Sequence, residues 1–165
     1  MTTEKNIVLV GMPSCGKSAT GAQLASRTNR MIIDTDQKIV EKIKMPISDF
    51  FAKEGEPAFR KIETDVIGEV SKLKGKVIAT GGGAILNPKN IEMLKENGIV
   101  FFINRSLEHL LVTSDRPLSS SKERVKELYD QRFELYRTRC DYEINGDVPV
   151  KDVAEAILKI MEGLD

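Results

Sequence analysis

Short runs of aliphatic and β-branched residues alternate with longer amphipathic segments along this chain. The alternation is typical of α/β domains, in which parallel strands are connected by helices that cover the sheet. Strands are predicted at Ile7–Val10, Met31–Ile33, Val77–Ala79, Ile99–Ile103 and Tyr142–Ile144. Helices are predicted at Lys17–Thr28, Gln37–Lys44, Phe59–Leu73, Asn90–Glu96, Glu123–Arg139 and Lys151–Glu162.

Two departures from this alternation draw attention. The stretch Thr113–Lys122 is rich in serine and contains Pro117, which predicts a mobile loop. Unusual polar residues and glycines also come directly after the first three predicted strands, and open α/β sheets bind ligands at that edge. These residues are Gly11 after the first strand, Asp34 and Asp36 after the second, and Gly81–Gly83 after the third.

The composition sets limits on partners and on location. The 165 residues suit one domain spanning residues 1–165, and 25 Lys and Arg balance 25 Asp and Glu. Without a net basic field we expect neither nucleic acid nor an anionic membrane as a partner. The two cysteines form no disulfide framework or CxxC metal site, and no apolar run approaches the length of a membrane span. With no room for a signal peptide before the first strand, we expect a cytoplasmic protein.

A phosphate-binding loop is the most specific motif in the chain. Gly11-Met-Pro-Ser-Cys-Gly16-Lys17-Ser18 matches GxxxxGK[ST] between a strand and a helix. The glycines let backbone N–H groups turn inward around a phosphate, and the helix N-terminus adds its positive dipole end. Lys17 supplies a charge for the β- and γ-phosphates, and the Ser18 hydroxyl is a ligand for Mg²⁺. The predicted nucleotide-binding residues are Gly11, Ser14, Cys15, Gly16, Lys17, Ser18 and Ala19, with Cys15 alternatively a small filler of the loop.

Paired aspartates follow the second strand. Residues i and i+2 of an extended chain point to the same side, so Asp34 and Asp36 can both face the phosphate loop. One carboxylate then supports Mg²⁺, and the other orients an acceptor hydroxyl for phosphoryl transfer. The alternative is that Asp36 serves as the N-cap of the helix that follows.

Two arginines occupy positions that require an explanation. Arg132 falls in the middle of the apolar stripe of its helix, where a charge is costly unless it is paired or binds an anion. Arg60 shares a helix face with Glu63, which either forms a surface ion pair or fixes Arg60 for binding a carboxylate. The glycines Gly81–Gly83 permit close approach of backbone to a ligand, or form a flexible turn.

The ordered set of motifs resembles the shikimate kinase family. The set comprises GxxxxGKS, Asp34-Thr-Asp36, Phe59-Arg60 with Glu63 three residues on, Thr80-Gly81-Gly82-Gly83, Asp115-Arg116-Pro-Leu and Arg132-x-x-Leu-Tyr136, spread over Ile7–Tyr142. The resemblance implies a three-layer P-loop kinase fold, with a five-stranded parallel sheet in the order 2-3-1-4-5 flanked by helices. It also implies a mobile lid at about residues 106–122 and a shikimate-binding helical segment at about residues 35–63.

The same resemblance implies the activity. A monomer would transfer a phosphoryl group from Mg-ATP to the 3-hydroxyl of shikimate, giving shikimate 3-phosphate and ADP in chorismate and aromatic amino acid biosynthesis. Ser18 and Asp34 would hold Mg²⁺, and Asp36, Lys17 and Arg116 would be catalytic, with Arg116 on the lid over ATP. The substrate-binding residues would be Asp36, Arg60, Glu63, Gly81, Gly82, Gly83 and Arg132.

Several positions depart from the family pattern. Ala19 stands where the family has Thr, the lid is more polar and shorter, and Arg132-Phe-Glu-Leu-Tyr136 lacks a proline. The adenine-packing arginine of the family has no counterpart, so His109 either stacks on adenine or is an exposed helix residue. Two other functions stay open: a gluconate-type kinase of the same fold, and a nucleotide-binding regulatory domain with little catalysis.

Overall fold

The computed structural model describes residues 4–113 and 119–164. Five strands form one sheet in the order β2-β3-β1-β4-β5, and every neighbouring pair is parallel. The predicted sheet, including its strand order, is therefore confirmed. The strands are β1 (Asn6–Val10), β2 (Ile32–Asp34), β3 (Val77–Ala79), β4 (Gly98–Asn104) and β5 (Tyr142–Asn145).

Helices connect the strands and flank the sheet. They are α1 (Lys17–Thr28), α2 (Thr35–Ile43), α3 (Ile47–Glu54), α4 (Glu56–Ser71), α5 (Pro88–Glu96), α6 (Leu107–Thr113), α7 (Ser119–Arg139) and α8 (Val150–Gly163), with a 3₁₀ helix at Gly82–Leu86. The central strand β1 is buried along its whole length, as expected for a strand covered on both faces. In the described chain, no helix is both long and apolar enough to cross a membrane.

Helices α3 and α6 were not predicted, and α2, α4, α5 and α7 begin two to four residues earlier than predicted. Helix α3 has only eight residues between Pro46 and Gly55, and Phe50 is its one buried residue, so its periodicity is too short to recognise. The predicted loop Thr113–Lys122 is wrong at both ends, because Thr113 closes α6 and α7 begins at Ser119. Its central residues, 114–118, lie outside the described residues. Serine and lysine disfavour a helix only weakly, so α7 can include Ser119–Lys122.

The order of the strands determines where the site lies. Parallel pairing of β1 with β3 and of β3 with β2 brings the carboxyl ends of all three strands to one edge. The loop before α1, the start of α2 and the 3₁₀ helix therefore meet there. Thr80 strengthens this junction, since its backbone N–H and its hydroxyl both donate to Leu9 O, at 3.1 and 2.8 Å.

The side chain of Asn6 connects backbone segments at the opposite end of the sheet, where β1 begins, and this contact provides a test of the fold. This fully buried side chain donates from Nδ2 to Leu73 O and accepts at Oδ1 from Lys76 N, both at 2.8 Å.

We expect Asn6→Ala to lower the free energy of unfolding by about 1–3 kcal/mol, because it leaves buried backbone groups without partners. The change is measured by urea denaturation. The control Gln23→Ala, at an exposed position of α1, is expected to stay within about 0.5 kcal/mol of the parent; an equal loss in both variants would contradict this role of Asn6.

Candidate active site

The loop between β1 and α1 has the backbone that a phosphate cradle requires. Gly11, Ser14 and Gly16 have φ values of 155°, 68° and 97°, in the region that favours glycine. At Gly11 a side chain is also excluded by space, because a Cβ would lie 2.7 Å from Cys15 Sγ and 2.9 Å from Ile103 O. The loop can therefore curve tightly only with glycine at its start.

The first turn of α1 directs its backbone N–H groups into this loop. The hydrogen bond from Thr20 N to Gly16 O, 2.9 Å, opens the helix ladder, so the N–H groups just before Thr20 are available to an anion. The Lys17 ammonium folds over the loop and donates to Gly11 O and Met12 O at 2.6 and 2.9 Å. Ser18 and Ala19 are exposed at the start of the helix.

Cys15 packs inside the loop. Its side chain is 3% exposed, its Sγ lies 3.8 Å from Lys17 Nζ, and its backbone N–H donates to Met12 O at 3.1 Å. The thiol thus fills the space that the absent Gly11 side chain leaves open. This geometry agrees with the alternative that Cys15 is a small filler of the loop.

The paired aspartates come at the carboxyl end of β2, but their local geometry differs from the predicted one. Strand β2 ends at Asp34 and α2 begins at Thr35, so the two residues are not both in extended chain. The expected i, i+2 argument is therefore wrong. Asp34, rather than Asp36, is the N-cap, because its Oδ1 accepts from Asp36 N at 2.9 Å and from Gln37 N at 3.3 Å.

Asp36 faces Gly81 from the first turn of α2. A Cβ at Gly81 would lie 3.1 Å from the Asp36 carboxyl carbon, so only glycine leaves room for this carboxylate. Burial, and next the negative charge of Asp34, raise the pKa of Asp36, while Lys17 and Arg60 act in the opposite direction. Asp36 is thus a partly buried carboxylate between the phosphate loop and the glycine segment.

Arg60 is held by two carboxylates. Its Nη1 donates to Glu63 Oε1 at 2.9 Å, and its Nε donates to Glu56 Oε2 at 3.3 Å. Glu63 is 1% exposed, and burial raises its pKa despite the opposing hydrogen bond from Arg60. The Arg60 guanidinium lies close to Gly83, where a Cβ would come within 2.5 Å of its Cζ. The prediction that Glu63 fixes Arg60 agrees with this arrangement.

Arg132 is a buried cation on α7. Its side chain is 7% exposed, its Nη1 would lie 3.2 Å from a Cβ at Gly82, and its Nε has no hydrogen-bond acceptor within residues 4–113 and 119–164. Within those ranges no carboxylate oxygen lies within 4.0 Å of its guanidinium. Such a charge is costly unless an anion compensates it.

Two further side chains of α7 anchor the 3₁₀ helix beside Arg132. Tyr136 donates its hydroxyl to Gly82 O at 2.5 Å, and Arg139 donates from Nη1 to Ile85 O at 2.5 Å. Burial strongly raises the pKa of Tyr136, which keeps it a hydrogen-bond donor. Sequence reasoning named neither residue for this role, although both lie within two turns of Arg132 on the same helix.

Asp36, Arg60, Glu63, Arg132 and the glycine segment Gly81–Gly83 line one cavity of about 490 Å³. Arg60 and Arg132 therefore converge on the glycine segment, which the sequence alone left open. Sequence reasoning missed the apolar wall and a third arginine; only the spacing of Arg124 and Leu128 ahead of Arg132 could have indicated them. The described lining comprises Pro13, Asp36, Ile47, Phe51, Glu56, Phe59, Arg60, Glu63, Gly81, Gly82, Gly83, Arg124, Leu128 and Arg132.

Comparison with known proteins agrees with this geometry. The family model described as shikimate kinase matches residues 13–162. The chain belongs to the shikimate kinase family. The shikimate kinase of Caldicellulosiruptor bescii is 38% identical over 164 residues, which cover 94% of this chain and 95% of that protein. The structure of the Acinetobacter baumannii shikimate kinase in complex with shikimate has a TM-score of 0.92 and 34% identity, and covers 99% of this chain and 96% of that one.

A gluconokinase shares the fold but little sequence. The Sinorhizobium meliloti gluconokinase structure has a TM-score of 0.70 and 18% identity, covering 98% of this chain and 94% of that one. This likeness concerns the fold alone.

Two residues that the shikimate kinase resemblance singled out need separate comment. Arg116 lies outside the described residues. His109 is half exposed on α6, and its Nδ1 lies 2.7 Å from Ser106 Oγ and 3.0 Å from Asp147 Oδ1. His109 therefore contacts the start of its own helix and the segment after β5.

The raised pKa of Asp36 predicts a pH-dependent cost to stability. An ionised Asp36 is disfavoured by burial in the folded protein, so this cost is complete above the folded pKa and vanishes below the ordinary value of 3.8. We expect Asp36→Asn to raise the melting temperature at pH 8, and the gain to shrink as the pH is lowered toward 4.

Thermal denaturation between pH 4 and pH 8 measures this effect. Asp65→Asn, at an exposed position of α4, is the matched control and is expected to show no comparable gain. A lower melting temperature for Asp36→Asn at pH 8 would contradict the burial cost.

Proposed function

We propose that this chain transfers the γ-phosphoryl group of ATP to the 3-hydroxyl of shikimate, giving shikimate 3-phosphate and ADP. The observation that carries the proposal is the buried guanidinium of Arg132, which lines a cavity beside the phosphate loop without a described carboxylate partner. A bound carboxylate compensates this charge. Its relative from Acinetobacter baumannii binds shikimate, an acid of the required kind.

The acceptor binds between α4 and α7. Its carboxylate lies at Arg132, and Arg60 offers a second guanidinium, already oriented by Glu63 and Glu56. The ring lies over Gly81–Gly83, which line the cavity with backbone alone because a side chain there would overlap Asp36, Pro13 or Arg60. Phe51, Phe59 and Leu128 supply the apolar wall.

The triphosphate binds at the loop before α1. Backbone N–H groups of the segment 14–19, among them those of Ser14, Gly16 and Ala19, surround the phosphates together with the ammonium of Lys17. Because these contacts come from the backbone, Ala19 loses only the one hydroxyl contact that a threonine would add. Both substrates therefore meet between Lys17 and Asp36, on either side of the carboxyl end of β1.

The residues present fit Mg²⁺ held largely by phosphates and water. Within the described residues no group of three or more His, Cys, Asp or Glu could hold a metal alone. Mg²⁺ in phosphoryl-transfer sites keeps several waters and uses few protein ligands. The exposed Ser18 hydroxyl would hold the ion directly, and the Asp34 carboxylate would support it. The ion neutralises charge on the phosphates.

The position of Asp36 gives it the role of proton acceptor in the phosphoryl transfer. The acceptor oxygen attacks the γ-phosphorus, the bond to the β–γ bridging oxygen breaks, and the acceptor proton passes to the Asp36 carboxylate as ADP departs. The raised pKa makes Asp36 a better proton acceptor than an exposed aspartate. The ammonium group of Lys17 stabilises the negative charge that develops on the phosphates during the transfer. Arg116 is assigned to the same task from its motif alone, on the proposed lid of residues 106–122.

The wider assignments are also proposals. We expect a monomeric cytoplasmic enzyme of chorismate and aromatic amino acid biosynthesis, with shikimate, ATP and Mg²⁺ as its ligands. A gluconate-type kinase is the second candidate because it shares the fold. Gluconate also carries a carboxylate that would compensate Arg132, so turnover of the two acceptors distinguishes these candidates. A regulatory nucleotide-binding domain would have no use for the acceptor cavity.

ADP release in a coupled assay tests the proposal. We expect turnover of Mg-ATP with shikimate, none with gluconate, and loss of turnover on removal of Mg²⁺ with a chelator. Asp36→Asn is expected to reduce kcat by several orders of magnitude while ATP affinity stays within about twofold. Tight ATP binding without turnover of either acceptor would instead support the regulatory domain.

Arg132→Met separates the binding role from a structural one. Methionine has a similar length and no charge, so we expect unfolding free energy to be unchanged or higher. The KM for shikimate is expected to rise about 10- to 100-fold, through loss of a charge-assisted pair of about 1.5–3 kcal/mol. The KM for ATP should be unaffected. Steady-state kinetics and urea denaturation give the two readouts, and Arg137→Met on the exposed side of α7 is the control; an unchanged shikimate KM would make Arg132 structural only.

A further inference from the structure

The acceptor cavity has a balanced charge that depends on one exposed side chain. Among its described lining residues, the ionisable groups are the carboxylates of Asp36, Glu56 and Glu63 and the guanidinium groups of Arg60, Arg124 and Arg132. Without Arg124 the carboxylates would outnumber the cations. An acid entering such a cavity would meet net repulsion at long range.

The three cations are not equally available to an incoming acid. Arg60 already donates to both Glu63 and Glu56, so its charge is largely neutralised before an acceptor arrives. Arg132 is buried at the base of the cavity. Arg124 remains as the cation nearest to solvent, with a side chain 55% exposed.

Arg124 is only loosely held by its neighbour on α7. Its Nη1 lies 3.3 Å from Glu127 Oε2, and the Glu127 side chain is 61% exposed and does not line the cavity. Exposed pairs of this kind contribute about 0–1 kcal/mol, so an entering carboxylate can replace Glu127 at little cost. The side chain can therefore turn toward the cavity without leaving a buried group unpaired.

From these features we infer that Arg124 is an acceptor-specificity residue: its guanidinium attracts the carboxylate of the acceptor to the mouth of the cavity and offsets the carboxylates that line it. The inference rests on the proposed function. It assigns Arg124 to acceptor capture rather than to the transferred phosphoryl group, because Arg124 lies with Leu128 and Arg132 on the α7 wall. Rim charges of this kind act mainly on association and on its salt dependence.

Arg137 provides a closely matched control. It lies on the same helix, is 58% exposed and pairs with Glu143 at 3.4 Å, but it does not line the cavity. Replacing either arginine removes the same charge from the same helix. Only the location relative to the cavity differs.

The experiment compares Arg124→Gln, Arg124→Lys, Arg124→Glu and Arg137→Gln by steady-state kinetics at low and at tenfold higher salt. Turnover of shikimate by the parent enzyme is measured first, so failure of the proposed function is seen separately. For Arg124→Gln we expect the shikimate KM to rise about two- to fivefold, with kcat and the ATP KM within about twofold. The increase should be greater for Arg124→Glu, small for Arg124→Lys, and reduced at high salt.

Inhibition constants of shikimate methyl ester, a neutral probe, distinguish charge from packing. If Arg124 acts on the carboxylate, Arg124→Gln changes the affinity for the acid and leaves that for the ester within about twofold. Equal losses for acid and ester, an equal effect of Arg137→Gln, or a shikimate KM that does not change would each overturn the inference.

Discussion

The site depends on keeping a guanidinium group inside the protein without neutralising it. Arg132 is buried on α7 and forms no ion pair with a carboxylate of the described residues. The Tyr136 hydroxyl on Gly82 O and the glycine backbone near its Nη1 are neutral, and the buried Glu63 acts on its charge from beyond ion-pair distance. Apolar burial elsewhere has to offset the cost of this charge. Natural proteins tolerate such a cost at functional sites, where a ligand recovers it.

The two arginines of the cavity illustrate two ways of holding the same group. Arg60 is oriented by two carboxylates, which fix the direction of its guanidinium group but partly neutralise its positive charge. Arg132 keeps its charge and is positioned by packing. An acid that contacts both meets a rigidly oriented donor in Arg60 and a more strongly charged donor in Arg132. Neither side chain needs a large rearrangement to bind it. The close contact of both with Gly82 and Gly83 explains why side chains are absent there.

Much of this could be predicted from the sequence, because the decisive patterns are local. The phosphate loop, the paired aspartates and the glycine segment are motifs at strand ends, whereas the strand order and the shared substrate role of Arg60 and Arg132 were implied by the family resemblance. Helix α3 was missed since eight residues between Pro46 and Gly55 contain too little periodicity. The roles of Tyr136 and Arg124 required knowledge of which face of α7 meets the 3₁₀ helix, which is a tertiary fact. The role of Arg116 stays a prediction.

The capping of α2 has a consequence for how mutations in this region are interpreted. Asp34 Oδ1 holds the backbone N–H of Asp36, so the carboxylate proposed as the base is set in place by its neighbour. A change at Asp34 that abolishes the cap would displace Asp36 as well. Loss of activity in such a mutant would resemble a metal defect even if ion binding were intact. An Asp34→Asn variant would retain a side-chain oxygen that can cap α2. It would therefore separate the effect of losing the Asp34 charge from the effect of displacing Asp36.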